Sequence, residues 1–516
     1  MQLRWTQQTN KTNPIKVKYA LLPYGRSDYY VRIDAIEDSH TITMDKRTIC
    51  LINDSFPPII DGVANAVLNY ARIIEANHGH SMVVTPNVPG YTDVFDFPVI
   101  RYPSIDTRKL LGYVAGYPFS PEAAHAVQTE GADLIHSHCP ISSTLLARQI
   151  AEAQKLPLVL TWHTKYDIDI ANAIKSKRLQ EGALKALLNN VNSCDEIWTV
   201  SEGAGENLRS IGYEGEYIVM PNGVDLPRER LSESLVEEVT GEYDLPHGVP
   251  CFLFIGRLMW YKGLRIILDA LAELKNHDID FRMIIVGGGG DEAEVKEYTE
   301  KLGLGSKVFF TGLLSERKHL RAWYQKADLF LFPSTFDTNG LVVREAAASD
   351  TAAVIIEGSC AAEGVADGRN GFMIKENAAS LAAKLKELTD KPDAVKSVGR
   401  NAGDELYLSW EDAVANAYKR YEVVIDKYKS GGYAARDPLK GSWMQSQGEL
   451  MQILGDIGAA RKDFKASIET AKNELDMSMR SLKNRAMTDI ITLQHEAKEG
   501  VDSVLSDVGD YLERYL

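Results

Sequence analysis

The feature that most constrains this chain is a repeat of pattern. From about Met44 to about residue 405, short β-branched runs alternate with longer stretches at helical spacing. Continuous apolar runs of four to seven residues fit strands buried on both faces, and helical stretches between them supply the crossovers that parallel strands require. The runs Thr48 to Asn53, Ser81 to Thr85, Asp133 to His136, Leu158 to Thr161, Glu196 to Val200 and Tyr217 to Met220 predict one doubly wound α/β domain. It ends at the Pro221-Asn222-Gly223-Val224-Asp225 turn. Pro250 to Gly256, Phe281 to Val286, Val308 to Thr311, Leu329 to Pro333 and Ala352 to Ile356 predict a second. Two such halves place ligands in a cleft at the carboxyl ends of their strands.

The two ends of the chain read differently. Residues 1–43 carry short alternating runs, Lys16 to Ala20 and Tyr30 to Ile33, which predict a strand-rich extension. Near the other end, the apolar positions from Phe464 through Ile468, Ala471, Leu475 and Met479 to Leu512 recur in steps of 3 or 4, as in a coiled coil. We therefore expect an N-terminal extension over 1–43, Rossmann-like halves over 44–225 and 226–408, and a helical coiled-coil-like extension over 430–516 through which the chain self-associates.

Charge and cysteine content exclude several classes. With 57 Lys+Arg against 72 Asp+Glu, the net charge of -15 opposes general attraction to nucleic acid or an anionic bilayer. Residues 441–516 share the bias, with 9 Lys+Arg against 13 Asp+Glu, a net of -4. The five cysteines are far apart, without metal spacing, and read as reduced thiols of a cytoplasmic protein. No run reaches the roughly 18 apolar residues of a membrane span, and the N-terminus has no apolar signal core.

The chemistry concentrates at strand ends. Arg257 and Lys262, in Gly256-Arg257-Leu258-Met259-Trp260-Tyr261-Lys262-Gly263, follow a strand and can converge on a diphosphate; two solvated surface cations are the alternative. In Ser334 to Glu345 a helix is expected to open near Gly340, so the amides around Asn339, Gly340, Leu341 and Val342 suit a phosphate. Asp337 and Glu345, eight apart, can bind sugar and ribose hydroxyls, or Asp337 can simply cap the helix. The turns at Gly287 and Gly62 allow close approach to a ligand from opposite sides of the cleft. His163, with Lys165 and Tyr166 beside it, sits just past a strand end; His136 and His138 lack a third metal ligand.

These residues resemble the retaining GT-B glycosyltransferases of family 4. The likeness covers about residues 44–428 and rests on Gly256-Arg257-Leu258 with Lys262-Gly263, the carboxylate-x7-Glu pair, and Ser409-Trp410-Glu411-Asp412 with Tyr421-Glu422. That last segment is similar to the family's helix, expected here over 409–428, which crosses back onto the first half. The resemblance implies a UDP-sugar co-substrate, UDP-glucose first among them, and no metal or other cofactor. Arg257 and Lys262 would neutralise the departing diphosphate, Glu345 would bind ribose and Asp337 donor-sugar hydroxyls. Gly62, Gly256, Gly287 and the amides from Asn339 to Val342 would line the donor site. His163, Lys165 and Tyr166 would meet the acceptor, a membrane glycerolipid or another carbohydrate.

Three departures stand out. Asp337 replaces the family's usual Glu, Ser349-Asp350-Thr351 replaces a usual Gly turn, and the two ends have no counterpart. Lys175, Lys177, Arg178 and Lys185 fall where lipid-glycosylating relatives touch the inner face of a membrane, but Asp167, Asp169 and Glu181 nearby favour a solvated helix. A sugar-nucleotide-binding assembly protein without activity is the alternative from another class.

Overall fold

The computed structural model describes residues 19–22, 30–33, 46–105, 114–173, 177–314 and 316–434. The predicted C-terminal coiled coil lies outside them, as do Lys175 and most of residues 1–43. Within the N-terminal unit, Tyr19–Leu22 pairs antiparallel with Tyr30–Ile33.

The larger unit is built on two parallel sheets. The first has seven strands: β1 (Thr48–Ile52), β2 (His80–Pro86), β3 (Val99–Tyr102), β4 (Leu134–Ser137), β5 (Leu158–Trp162), β6 (Glu196–Thr199) and β7 (Ile218–Val219), in the order β7-β6-β5-β4-β1-β2-β3. The second has six: β8 (Cys251–Ile255), β9 (Arg282–Val286), β10 (Val308–Gly312), β11 (Leu329–Phe332), β12 (Ala352–Ile356) and β13 (Phe372–Ile374), in the order β10-β9-β8-β11-β12-β13. Central strands such as β1, β5, β8 and β9 are almost wholly buried, because helices cover both faces. The sequence pattern overlooks β3 and β13. Both are short edge strands, and β3 is mostly half-exposed, so neither carries a long apolar run.

Each sheet reverses its order at one point, β1/β4 in the first and β8/β11 in the second. A crevice opens there because successive crossovers leave toward opposite edges. The loop after β8 carries Arg257 and Lys262, and the loop after β11 carries Asp337.

The helices used below are α1 (Gly62–Ile73), α2 (Ser142–Gln154), α3 (Tyr166–Ala173), α4 (Glu202–Ser210), α5 (Leu264–Asn276), α6 (Arg317–Lys326), α7 (Leu341–Ala348) and α8 (Trp410–Lys429). Although it follows the second half in sequence, α8 packs on the first: Trp410, Val414, Ala417, Tyr418, Tyr421 and Val424 share a core with Tyr70 of α1 and Trp198 of β6. Ser409 caps it, and a Cβ at Gly223 would stand 2.4 Å from the Trp410 backbone, so the Pro-Asn-Gly turn admits the helix only with glycine. Arg420 then forks onto the Glu196 carboxylate at 2.8 and 2.6 Å.

Helix α7 ends where the usual glycine is missing. Asp350 takes the left-handed conformation, φ 57°, and its carboxylate accepts from Arg228 at 3.0 Å. Aspartate tolerates that region better than most residues.

Candidate active site

Glycines set the backbone of the second half's loops. Gly287 has φ +133°, and a Cβ there would lie 2.0 Å from the Gly256 carbonyl oxygen. The Leu258 amide donates to the Gly288 carbonyl at 3.0 Å, the Asp291 amide donates to the Leu258 carbonyl at 3.1 Å, and the Trp260 amide donates to the Asp291 carboxylate at 2.8 Å. The glycine run thus serves first to let one loop pack on another, which fixes the loop that presents Arg257. Gly263, φ +81°, opens α5; a Cβ there would lie 2.0 Å from the Pro333 carbonyl oxygen. That close approach brings Lys262 beside the loop after β11.

Lys262 is buried, and its ammonium donates to both oxygens of Asp337 at 2.8 and 2.9 Å. The Ser334 hydroxyl donates to Asp337 Oδ2 at 2.8 Å, and the rings of Phe332 and Phe336 flank the ammonium at 5.9 and 5.8 Å. Asp337 does not cap α7: the cap is Gly340, φ 58°, with no side-chain hydrogen bond. The Leu341 and Val342 amides therefore have no partner among the described residues. Arg257 is exposed, with no ion pair among the described residues, so the two cations differ: one is held in place and the other is free to reach a ligand.

Glu345 is half-buried, one turn into α7. Tyr324 donates to its Oε2 at 3.0 Å, and the Arg317 guanidinium lies 3.9 Å from its Oε1. Burial pushes its pKa above the usual carboxylate range, opposed by the Tyr324 hydrogen bond and by Arg317. Sequence reading missed both neighbours, since nothing in a lone Tyr or Arg on a helix marks it. Asn339, between Asp337 and Gly340, is buried with neither end of its carboxamide hydrogen-bonded among the described residues.

The first half contributes its own strand ends. His163, just past β5, is buried; its Nε2 lies 2.9 Å from His138 Nδ1, and burial lowers its pKa to about 3. His136 is pinned between the Tyr421 hydroxyl at 2.6 Å and the Thr161 hydroxyl at 2.7 Å. Desolvation and the neighbouring rings drive His136 and His138 well below the usual range, so the trio is neutral. His138, set aside on its spacing, belongs to the site by its contact with His163.

One expectation needs correction. Tyr166 was expected at the acceptor, but it is buried in the core of the first half, its ring 4.7 Å from that of Trp162 and its hydroxyl 3.6 Å from Cys139 Sγ. A cap narrows what the start of α1 can offer: Gly62 is exposed, but Asp61 accepts from the next two amides, Val63 and Ala64, at 2.8 and 2.7 Å, which leaves the Gly62 N–H itself for a ligand.

Across the seam, the halves touch. Lys165 Nζ reaches the Thr335 carbonyl at 3.4 Å, and the Thr338 hydroxyl donates to the His163 carbonyl at 2.9 Å. Asp337 and His163 are thereby drawn to the same crevice. Among the described residues, no group of three His, Cys, Asp or Glu side chains could hold a metal ion.

Residues 60–228 match the Glycosyltransferase Family 4 model and residues 236–404 the Glycosyl transferases group 1 model. The chain belongs to the GT-B glycosyltransferases of family 4. It is a hexosyltransferase by class. Among curated relatives, the alpha-monoglucosyldiacylglycerol synthase of Streptococcus pneumoniae is 24% identical over 308 residues, covering 59% of this chain and 69% of the relative. A D-inositol 3-phosphate glycosyltransferase of Arthrobacter is 26% identical over 316 residues, covering 57% and 72%. The solved structure of Anabaena HepE in complex with UDP superposes with a TM-score of 0.59 at 20% identity, over 73% of this chain and all of that one, and so shares the fold.

Proposed function

We propose that the protein transfers a hexose, with retention of configuration, from UDP-glucose to a hydroxyl of a membrane glycerolipid. The observation that carries this reading is the Lys262–Asp337 pair at the second sheet's crevice, flanked by the free amides of α7, half-buried Glu345 and exposed Arg257.

As the glycosidic bond breaks, negative charge grows on the diphosphate. Arg257, Lys262 and the Leu341 and Val342 amides stabilise it in a site with little water, where fixed charges act most strongly. Asp337 accepts hydrogen bonds from donor-sugar hydroxyls, and Glu345 accepts from the ribose. Asp337 is held by Lys262 and Glu345 by Tyr324, so each is placed to accept hydrogen bonds and not to attack the scissile bond as a glycosidase carboxylate does. The departing phosphate itself takes the acceptor proton, on the face it leaves.

The lipid acceptor is supported by the synthases of Streptococcus pneumoniae and Acholeplasma laidlawii among the relatives. The inositol phosphate relatives favour a soluble acceptor as the second reading. No described helix is long and apolar enough to cross a membrane. Mass spectrometry of products from a UDP-sugar panel, offered diacylglycerol vesicles and inositol phosphate, tests the assignment. A glucosylated lipid is expected; a product on the soluble acceptor alone overturns it.

A further inference from the structure

Beyond the Thr338 and Lys165 contacts and the Arg317–Asp225 ion pair at 2.6 Å, a carboxylate clamps the two halves together. Glu363 belongs to the second half, directly after the short turn Cys360–Ala362. Its Oε2 accepts from the Glu202 amide at 2.8 Å and its Oε1 from the Gly203 amide at 2.6 Å. These are the first two amides of α4, which belongs to the first half. The Ser201 hydroxyl oxygen accepts from the third, that of Ala204, at 3.0 Å and donates to the Thr338 carbonyl across the seam. The unsatisfied positive end of one half's helix is thus capped by a carboxylate from the other, an arrangement that exists only while the halves are together.

The local sequence is fitted to this contact. A Cβ at Gly203 would lie 2.4 Å from Cys360 Sγ and 3.2 Å from Glu363 Oε1, so any larger residue would push the turn away. Behind the turn, a Cβ at Gly340 would lie 2.7 Å from the Ala361 Cα. The Glu363 turn is therefore wedged between α4 and the segment Asp337 to Gly340, which carries the Lys262 partner. Displacing Glu363 loosens the backing of Asp337 on one side and the placement of the first half on the other.

We propose that Glu363 is a positioning residue: its carboxylate clamps the N-terminus of α4 to the turn that backs Asp337 to Gly340, setting the separation of the acceptor side, with His163, from the donor side. This rests on the transferase reading above. Misplacing reacting groups by about 1 Å can cost on the order of 10²-fold in rate without loss of binding. The clamp should therefore act on kcat and leave nucleotide affinity alone.

The test uses the full chain. Glu363→Gln keeps the shape but presents an amide nitrogen to a helix amide. We expect its kcat to fall about tenfold or more, with the Kd for UDP, measured by calorimetry, within about twofold of wild type. Glu363→Asp, charged but too short, should fall between. Wild-type kcat in Glu363→Gln, or a loss of UDP affinity as large as the loss of kcat, overturns the proposal. Wild-type protein that binds no UDP instead overturns the transferase reading.

Discussion

The Lys262 ammonium is chelated by Asp337, 2.8 Å from one carboxylate oxygen and 2.9 Å from the other, while Arg257, five residues earlier, is exposed and in no ion pair among the described residues. Donor binding must therefore share Lys262 between Asp337 and phosphate, whereas Arg257 is available outright. Arg257→Ala should leave Tm within about 1 °C, as expected of an exposed residue, and lower kcat/KM on the order of 10²-fold. Lys262→Ala should lower both, because it strands the Asp337 carboxylate. Thermal melts beside initial rates check the contrast; equal Tm losses in the two variants would refute it.

Asp337 is one methylene shorter than the residue usual at its position. Asp337→Glu restores that length but pushes the carboxylate past the point where Lys262 and Ser334 both reach it. We expect kcat/KM with the native donor to fall about tenfold, the scale of one misaligned charged hydrogen bond. Preference among epimeric UDP-hexoses should change as well. An unchanged ranking across a donor panel would show that Asp337 does not meet the sugar.

The buried histidines tie stability to pH. His136, His138 and His163 have folded pKa values below the unfolded value, that of His163 about 3. Their contribution is therefore fully present above about pH 6.5 and lost as pH falls toward the folded values. Each adds a slope of about 1.4 kcal/mol per pH unit in that window. Urea unfolding between pH 7 and 5 should show stability falling steeply, and His163→Asn should flatten the slope by about one proton.

Asn339 buries a carboxamide that no described residue satisfies. Replacing it with an apolar side chain of similar size removes that cost, of about 1–3 kcal/mol. Asn339→Leu should thus melt higher than wild type without ligand, and should bind UDP-glucose more weakly than UDP if the amide completes its bonds on the sugar. A lower melting temperature would mean that the amide is held by the protein itself.

The apolar stripe from Phe464 to Leu512 predicts self-association through the C-terminal extension. Light scattering of the full chain and of a chain ending at residue 430 should give a multiple of the monomer mass for the first and the monomer for the second. Equal oligomeric states would sink the idea.

Much of the site was legible because it lies where local rules act. A charged residue directly after a buried parallel strand, such as Arg257, or a helix opened by Gly340 after β11, can be read from a window of a dozen residues. Tyr166 was misjudged because its fate depends on what packs beside it, the Trp162 ring and the Cys139 thiol. His138 and Glu363 carried no local signal at all. Their partners, His163 and the amides of α4, lie 25 and about 160 residues away in the chain.

Sequence alone determined the two parallel sheets and placed Arg257 and Lys262 directly after a strand, because buried strands and helix starts are written in periodicity and in single turns. Tertiary structure decided which cation is held and which is free, that three histidines stay neutral, and that Glu363 caps a helix of the opposite half. Those outcomes depend on burial and on distances of about 3 Å between residues far apart in the chain, and no short stretch of sequence contains them.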